Sequence, residues 1–129
     1  MLVHDALEEA DWAVDLREVE DGDELIDYLL RRGRYAHPND SPRPGLILLD
    51  LKMPGRGGLQ ALEQIKRASP HSRIPIVVLT TSSAEEDIAG AYDLGANSYI
   101  VKPSSFSTLV EAMQALERYW LKVVTLPST

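Results

Sequence analysis

The chain has 129 residues, 44% hydrophobic and 26% charged, with a formal net charge of −7 and a sequence pI of about 4.9. That length suits one domain with a real core, and the acidic balance argues against a general nucleic-acid-binding surface, which needs a basic stripe. With no cysteine there is no disulfide framework, thiol nucleophile or Cys-ligated zinc, and no apolar run approaches the ~20 residues that span a bilayer.

The N-terminus carries acids where a secretory signal carries basic residues and an apolar block, so a cytoplasmic protein is expected. Leu2, Val3, Ala6, Leu7 and Ala10 recur at helical spacing and predict an amphipathic helix over the first dozen residues. Residues 13–19 alternate apolar and charged side chains, the pattern of a half-exposed strand that Asp21-Gly22 breaks. A helix is expected over 23–32, with Leu25, Ile26, Leu29 and Leu30 on one face, and then a proline-rich loop over 33–45. Leu46 to Leu49 form a short apolar run ending at Asp50, and a Pro- and Gly-rich turn, 54–58, follows. This is the signature of a strand buried on both faces. A second buried strand is expected over 74–79. Ser83-Ala84-Glu85-Glu86 has the form of a capping box and predicts a helix from there to about Leu94, which Gly95 ends. Ser98 to Val101 is a short strand stopped by Lys102-Pro103. The last helix is expected over 105–119, and an apolar tail runs from Trp120 to Leu126. Strands alternating with helices imply parallel βαβ units and one doubly wound α/β sheet with helices on both faces.

Three strand ends carry polar residues: Asp50, Thr80 and Lys102. In a parallel sheet these ends share one edge, where ligands bind. A carboxylate nucleophile beside a hydroxyl and an ammonium suits phosphoryl transfer, since the latter two offset charge on phosphoryl oxygens. Each residue alone has a plainer account: Asp50 or Thr80 as a cap, Lys102 as an ion-pair partner of Asp50. Their recurrence at successive strand ends favours the chemical reading.

The segments LLDLKMPGRGG around Asp50, VVLTTSSAEEDI around Thr80 and GANSYIVKP around Lys102 resemble the receiver domain of two-component response regulators over residues 13 to about 118. The resemblance implies a flavodoxin-like receiver fold. It implies that Asp50 accepts a phosphoryl group from a histidine kinase, that Lys102 contacts the phosphate and that Thr80 reorients to bind it. Tyr99 falls at the family's switch aromatic, and Lys52 would offer a backbone carbonyl to Mg²⁺. The long loop after the first matched helix and the tail YWLKVVTLP also resemble the single-domain regulators that partner phytochrome-type kinases.

The family opens with a central hydrophobic strand ending in two adjacent acids that hold Mg²⁺ with the phospho-accepting Asp. Here no such strand is read, and the chain enters at the first helix. Asp5, Glu8, Glu9 and Asp11 sit at solvated-face spacing and are not assigned to that pair. Three accounts stay open: a start upstream of the given one, direct pairing of 13–19 with 46–50, or an edge supplied by a partner chain. With Asp50 the only acid assigned to the pocket, Mg²⁺ binding is expected to be weak. The leading reading is a single-domain response regulator over 1–118, shortened at its N-terminus, which is not an enzyme and signals by protein contacts. The alternative is a receiver-like interaction module that works without phosphorylation. A haloacid-dehalogenase-like phosphatase ranks far lower, because it wants a second Asp where Lys52 stands. Residues 119–129 are expected to be a C-terminal extension serving as a homodimer arm, since Trp120, Leu121, Val123, Val124 and Leu126 form an apolar strip beyond the core and Tyr119 and Trp120 are aromatic anchors typical of interface centres. No nucleic acid or membrane partner is expected.

Overall fold

The computed structural model describes residues 17–19, 21–37, 43–51, 57–67, 71–123 and 125–126. The predicted first helix and residues 13–16 of the predicted first strand lie outside them. Arg17, Glu18 and Val19 are described, and they are not in a strand.

Among the described residues the sheet has three parallel strands in the order β1-β2-β3: β1 (Ile47–Leu49), β2 (Ile76–Thr80) and β3 (Ser98–Val101). Leu49 pairs with Val78, and Thr80 pairs with Val101. β2 is central and buried at all five positions, as expected of an apolar run covered on both faces. The strand begins two residues later than the apolar pattern suggests. Ile74 and Pro75 are buried ahead of it, and the Ile74 carbonyl is taken by the Lys66 ammonium at 2.8 Å rather than by a neighbouring strand.

Helix α1 (Gly22–Leu30) starts where the sequence suggested only a break. Asp21 is its N-cap, and its carboxylate accepts from the Glu24 N–H at 2.7 Å. The helix ends at Arg31, a non-glycine residue in the left-handed region (φ 56°). Helix α2 (Gly58–Arg67) buries Ala61, Leu62 and Ile65. Helix α3 (Glu85–Asp93) buries Ala91. Leu25, Ile26 and Leu29 of α1, the buried face of α2, Ala91, and Ile47, Leu49, Ile76 and Val78 of the strands form one hydrophobic core, against which Tyr99 packs. α1 packs on α2, α2 on α3, and α3 against β3. All of this lies in one compact unit, Glu18–Val101.

The other unit includes Lys102–Leu126. Helix α4 (Phe106–Leu116) is N-capped by Ser105, whose side chain accepts from the Thr108 N–H at 3.4 Å. Leu109, Met113 and Leu116 are buried, in keeping with one apolar helical stripe. The helix then continues as a wider π-helical segment, Glu117–Val123, where the sequence suggested a change of structure at Trp120. Trp120 continues the buried stripe at 9% exposure, while its neighbour Tyr119 is 55% exposed and meets the indole edge-on, ring centroids 5.3 Å apart.

Candidate functional site

Because β1 and β2 are parallel and paired, their carboxyl ends lie at the same edge of the sheet. Asp50 follows Leu49 directly and is half-buried. Its backbone is held from behind by the start of α2. The Gly58 N–H donates to the Leu51 carbonyl at 3.3 Å, and a β-carbon at Gly58 would lie 2.5 Å from the Leu51 Cα and 2.7 Å from the Asp50 carbonyl oxygen. No side chain fits there, so glycine is what lets α2 butt against the end of β1 and set where Asp50 sits. The turn chemistry was visible in the sequence, whereas this close approach was not.

Thr80 ends β2 and is fully buried. Its hydroxyl oxygen accepts from the Ser82 N–H in a long bond of 3.5 Å. Tyr99, paired with Val78 in the next strand, donates its phenol to the Ser82 carbonyl at 2.9 Å. The aromatic and the strand-end hydroxyl therefore converge on one residue, Ser82. Its own hydroxyl bonds the Asp87 carboxylate and accepts from the Ala84 N–H at 3.3 Å. The predicted capping box is corrected here. The N-cap of α3 is Ala84, with no side-chain cap, and Ser83 is exposed one position too early to reach the N3 amide. The serine that serves the helix start is Ser82, and its acidic partner is Asp87 rather than Glu86. Glu85, Glu86 and Asp87 all lie in the first turn of α3, where the helix dipole favours negative charge.

Of the sequence-predicted site residues, Asp50, Thr80 and Tyr99 lie in the sheet unit as described. Lys102 is the next residue after Val101 at the end of β3 and is half-buried. Lys52 lies outside the described residues. Among the described residues no group of three or more His, Cys, Asp or Glu comes together to hold a metal ion. A hard divalent cation wants about six oxygens, of which the half-buried Asp50 carboxylate at the end of β1 could supply one or two. None of the described helices is long and apolar enough to cross a membrane.

Residues 1–114 match the family model of the response regulator receiver domain. The chain belongs to the response-regulator receiver family. The receiver is 39% identical to the response regulator Rcp1 of Synechocystis over 127 residues, covering 98% of this chain and 84% of Rcp1. It superposes on the phosphorylated cyanobacterial phytochrome response regulator RcpA with a TM-score of 0.89 at 41% identity, covering 98% of this chain and 89% of that one. It superposes on the Mn²⁺-bound form of Rcp1 with a TM-score of 0.87 at 38% identity, with the same coverage. The flavodoxin-like parallel sheet with helices implied by the motifs is thus the fold of this receiver.

Proposed function

We propose that this receiver is a phosphorylation-dependent signalling switch rather than an enzyme with a turnover substrate, and that Asp50 is its acceptor. The observation that carries the reading is the placement of Asp50 at the carboxyl end of β1, on the same sheet edge as the buried Thr80 hydroxyl. In the transfer, an Asp50 carboxylate oxygen attacks the phosphorus of a phosphohistidine. The P–O bond forms as the P–N bond breaks, and the imidazole departs with the electron pair. The Thr80 hydroxyl then turns to donate to a phosphoryl oxygen, giving up its bond to the Ser82 N–H, and the Lys102 ammonium offsets the added charge. The relatives RcpA and Rcp1 support a phytochrome-type histidine kinase as the donor. The Mn²⁺-bound form of Rcp1 supports divalent-ion binding by this receiver too; Asp50 would be one ligand and Lys52 a backbone ligand, and with no acidic pair assigned the ion would bind weakly.

Incubation with acetyl phosphate and Mg²⁺, followed by intact-mass spectrometry, tests the acceptor. One phosphoryl group is expected on the native chain and none on Asp50→Asn. A gain that persists in the variant rejects Asp50, and no gain in either favours a module that works without phosphorylation. Self-association through the last helix and tail is part of the same proposal, and the exposed Tyr119 and Phe106 support it. Trp120 is buried and is not available as an anchor. Light scattering of the full chain and of a chain trimmed after Arg118 should give a dimer and a monomer, respectively.

A further inference from the structure

We propose that the Ser82 side chain is a positioning residue that couples the Thr80 hydroxyl to the first turn of α3 through Asp87. The consequence drawn for signalling rests on the reading of Asp50 as the phosphoryl acceptor.

Ser82 is 9% exposed and uses each of its hydrogen-bonding groups. Its N–H donates to the Thr80 hydroxyl oxygen at 3.5 Å, and its carbonyl accepts from the Tyr99 phenol at 2.9 Å. Its hydroxyl donates to the Asp87 carboxylate and accepts from the Ala84 N–H at 3.3 Å. Two of these bonds face the strand-end hydroxyl and the aromatic. The other two face α3, one at its N-cap and one at its third residue. The helix start has no capping side chain of its own from Ala84, so Ser82 supplies what a capping residue ordinarily would, from two positions upstream.

The four bonds are unequal. A neutral N–H···O bond of 3.5 Å is near the limit of the interaction, whereas a hydroxyl bonded to a carboxylate is charge-assisted. When Thr80 rotates, its bond to Ser82 is therefore the one that gives way, while the tie to Asp87 holds. The Ser82 peptide is then free to shift, and because the hydroxyl stays on Asp87 the shift is passed to the first turn of α3. Removing the Ser82 oxygen would leave the backbone bonds to Thr80 and Tyr99 but cut the link to the helix. Asp87 belongs to the same link, so removing either partner should have the same consequence, and removing both should add little.

The test perturbs Thr80 directly and so does not depend on phosphorylation. In the full chain, Thr80→Val removes the hydroxyl at nearly constant shape. Backbone amide shifts of Glu85, Glu86, Asp87 and Ile88 and the ring signals of Tyr99 are compared by NMR with and without Thr80→Val. The comparison is made in the native, Ser82→Ala, Ser82→Thr, Asp87→Ala and Ser82→Ala/Asp87→Ala backgrounds, each first checked for cooperative melting. In the native background both sets of signals should move. In Ser82→Ala and Asp87→Ala the α3 response should fall at least threefold while the Tyr99 response persists. The double variant should be no worse than either single one, and Ser82→Thr, which keeps the hydroxyl, should restore the response. An α3 response of equal size with and without the Ser82 oxygen, or none in the native background, overturns the proposal. Should Ser82→Ala fail to melt cooperatively, Asp87→Ala and Ser82→Thr carry the same comparison. Acetyl phosphate is then added to the native chain and to Ser82→Ala. No mass gain in either rejects Asp50 as acceptor and leaves the coupling result standing. Equal mass gain with the α3 shift lost only in Ser82→Ala supports both readings.

Discussion

At the N-terminal end of β2, side chains from distant elements tie the chain down. The Lys66 ammonium, on α2, donates to the Ser72 carbonyl at 3.3 Å, the Ile74 carbonyl at 2.8 Å and the Asn97 side-chain oxygen at 3.3 Å. That same oxygen accepts from the Ile76 N–H at 2.9 Å, and the Asn97 N–H returns a bond to the Ile76 carbonyl at 2.9 Å. Gly95 (φ +107°) brings the turn so close that its missing β-carbon would lie 2.9 Å from the Lys66 Cγ. At the C-terminal end of the same strand, the ties converge on the single residue Ser82, and the one to Thr80 is the longest of them. One end of the strand is clamped through three elements, and the other is held through a node that one rotation can release. A switch needs this contrast, because a movable group transmits motion only when the scaffold behind it does not yield.

The largest expected effect is at the hinge between scaffold and site. Gly58→Ala puts a β-carbon into the backbone of Asp50 and Leu51, and the overpacking should cost about 3 kcal/mol in denaturant unfolding. It should also slow phosphorylation from acetyl phosphate, and unaltered stability and rate would mean that the close approach does not set the position of Asp50. Asn97→Ala comes next. It leaves the N–H of the fully buried Ile76 without its partner, at a cost of about 2 kcal/mol. Stability should fall with Asp50 still phosphorylated at the native rate, which separates the clamped end from the working end. Tyr99→Phe removes one phenol-to-carbonyl bond and should cost about 1 kcal/mol or less, while the ring signals at position 99 lose their dependence on the state of Thr80.

The smallest effect is a pH dependence at the clamped end. Burial holds the Lys66 ammonium below its ordinary value of 10.5. The unfolded chain therefore binds more protons than the folded one in the window just below 10.5, and folding stability should rise with pH through that window and level off above it. Lys66→Met should remove that rise, measured as the difference between the two stability–pH curves. Parallel curves would mean that burial does not act on this lysine.

Much of the molecule was legible because the signals are local. Alternation of apolar runs with helical periodicity specified parallel strands and the helices at Gly22–Leu30, Glu85–Asp93 and Phe106–Leu116, but not α2 (Gly58–Arg67), and the strand at Ser98–Val101 was found at its observed bounds. Strand-end position alone marked Asp50 and Thr80. Local signals were weaker where two readings share a pattern. Asp21-Gly22 reads equally as a strand breaker and as an N-cap with a first helical residue. The choice between Ser82 and Ser83 as the residue serving α3 depends on how the loop leaves β2, which neighbouring letters do not encode. Trp120 reads as a free apolar residue beyond the core, yet the helical turn continues and buries it.

The sequence by itself determined the fold class and the family and singled out Asp50 as the proposed acceptor, because those readings follow from hydrophobic period and from which residue types stand at strand ends. Tertiary structure alone decided how the site is supported. Tyr99 and Ser82 are 17 residues apart and Lys66 and Asn97 are 31 apart, and Gly58 matters through a backbone contact that no side chain advertises. A hydrogen bond or a close approach between residues so far separated exists only once the register of parallel strands has brought their ends together.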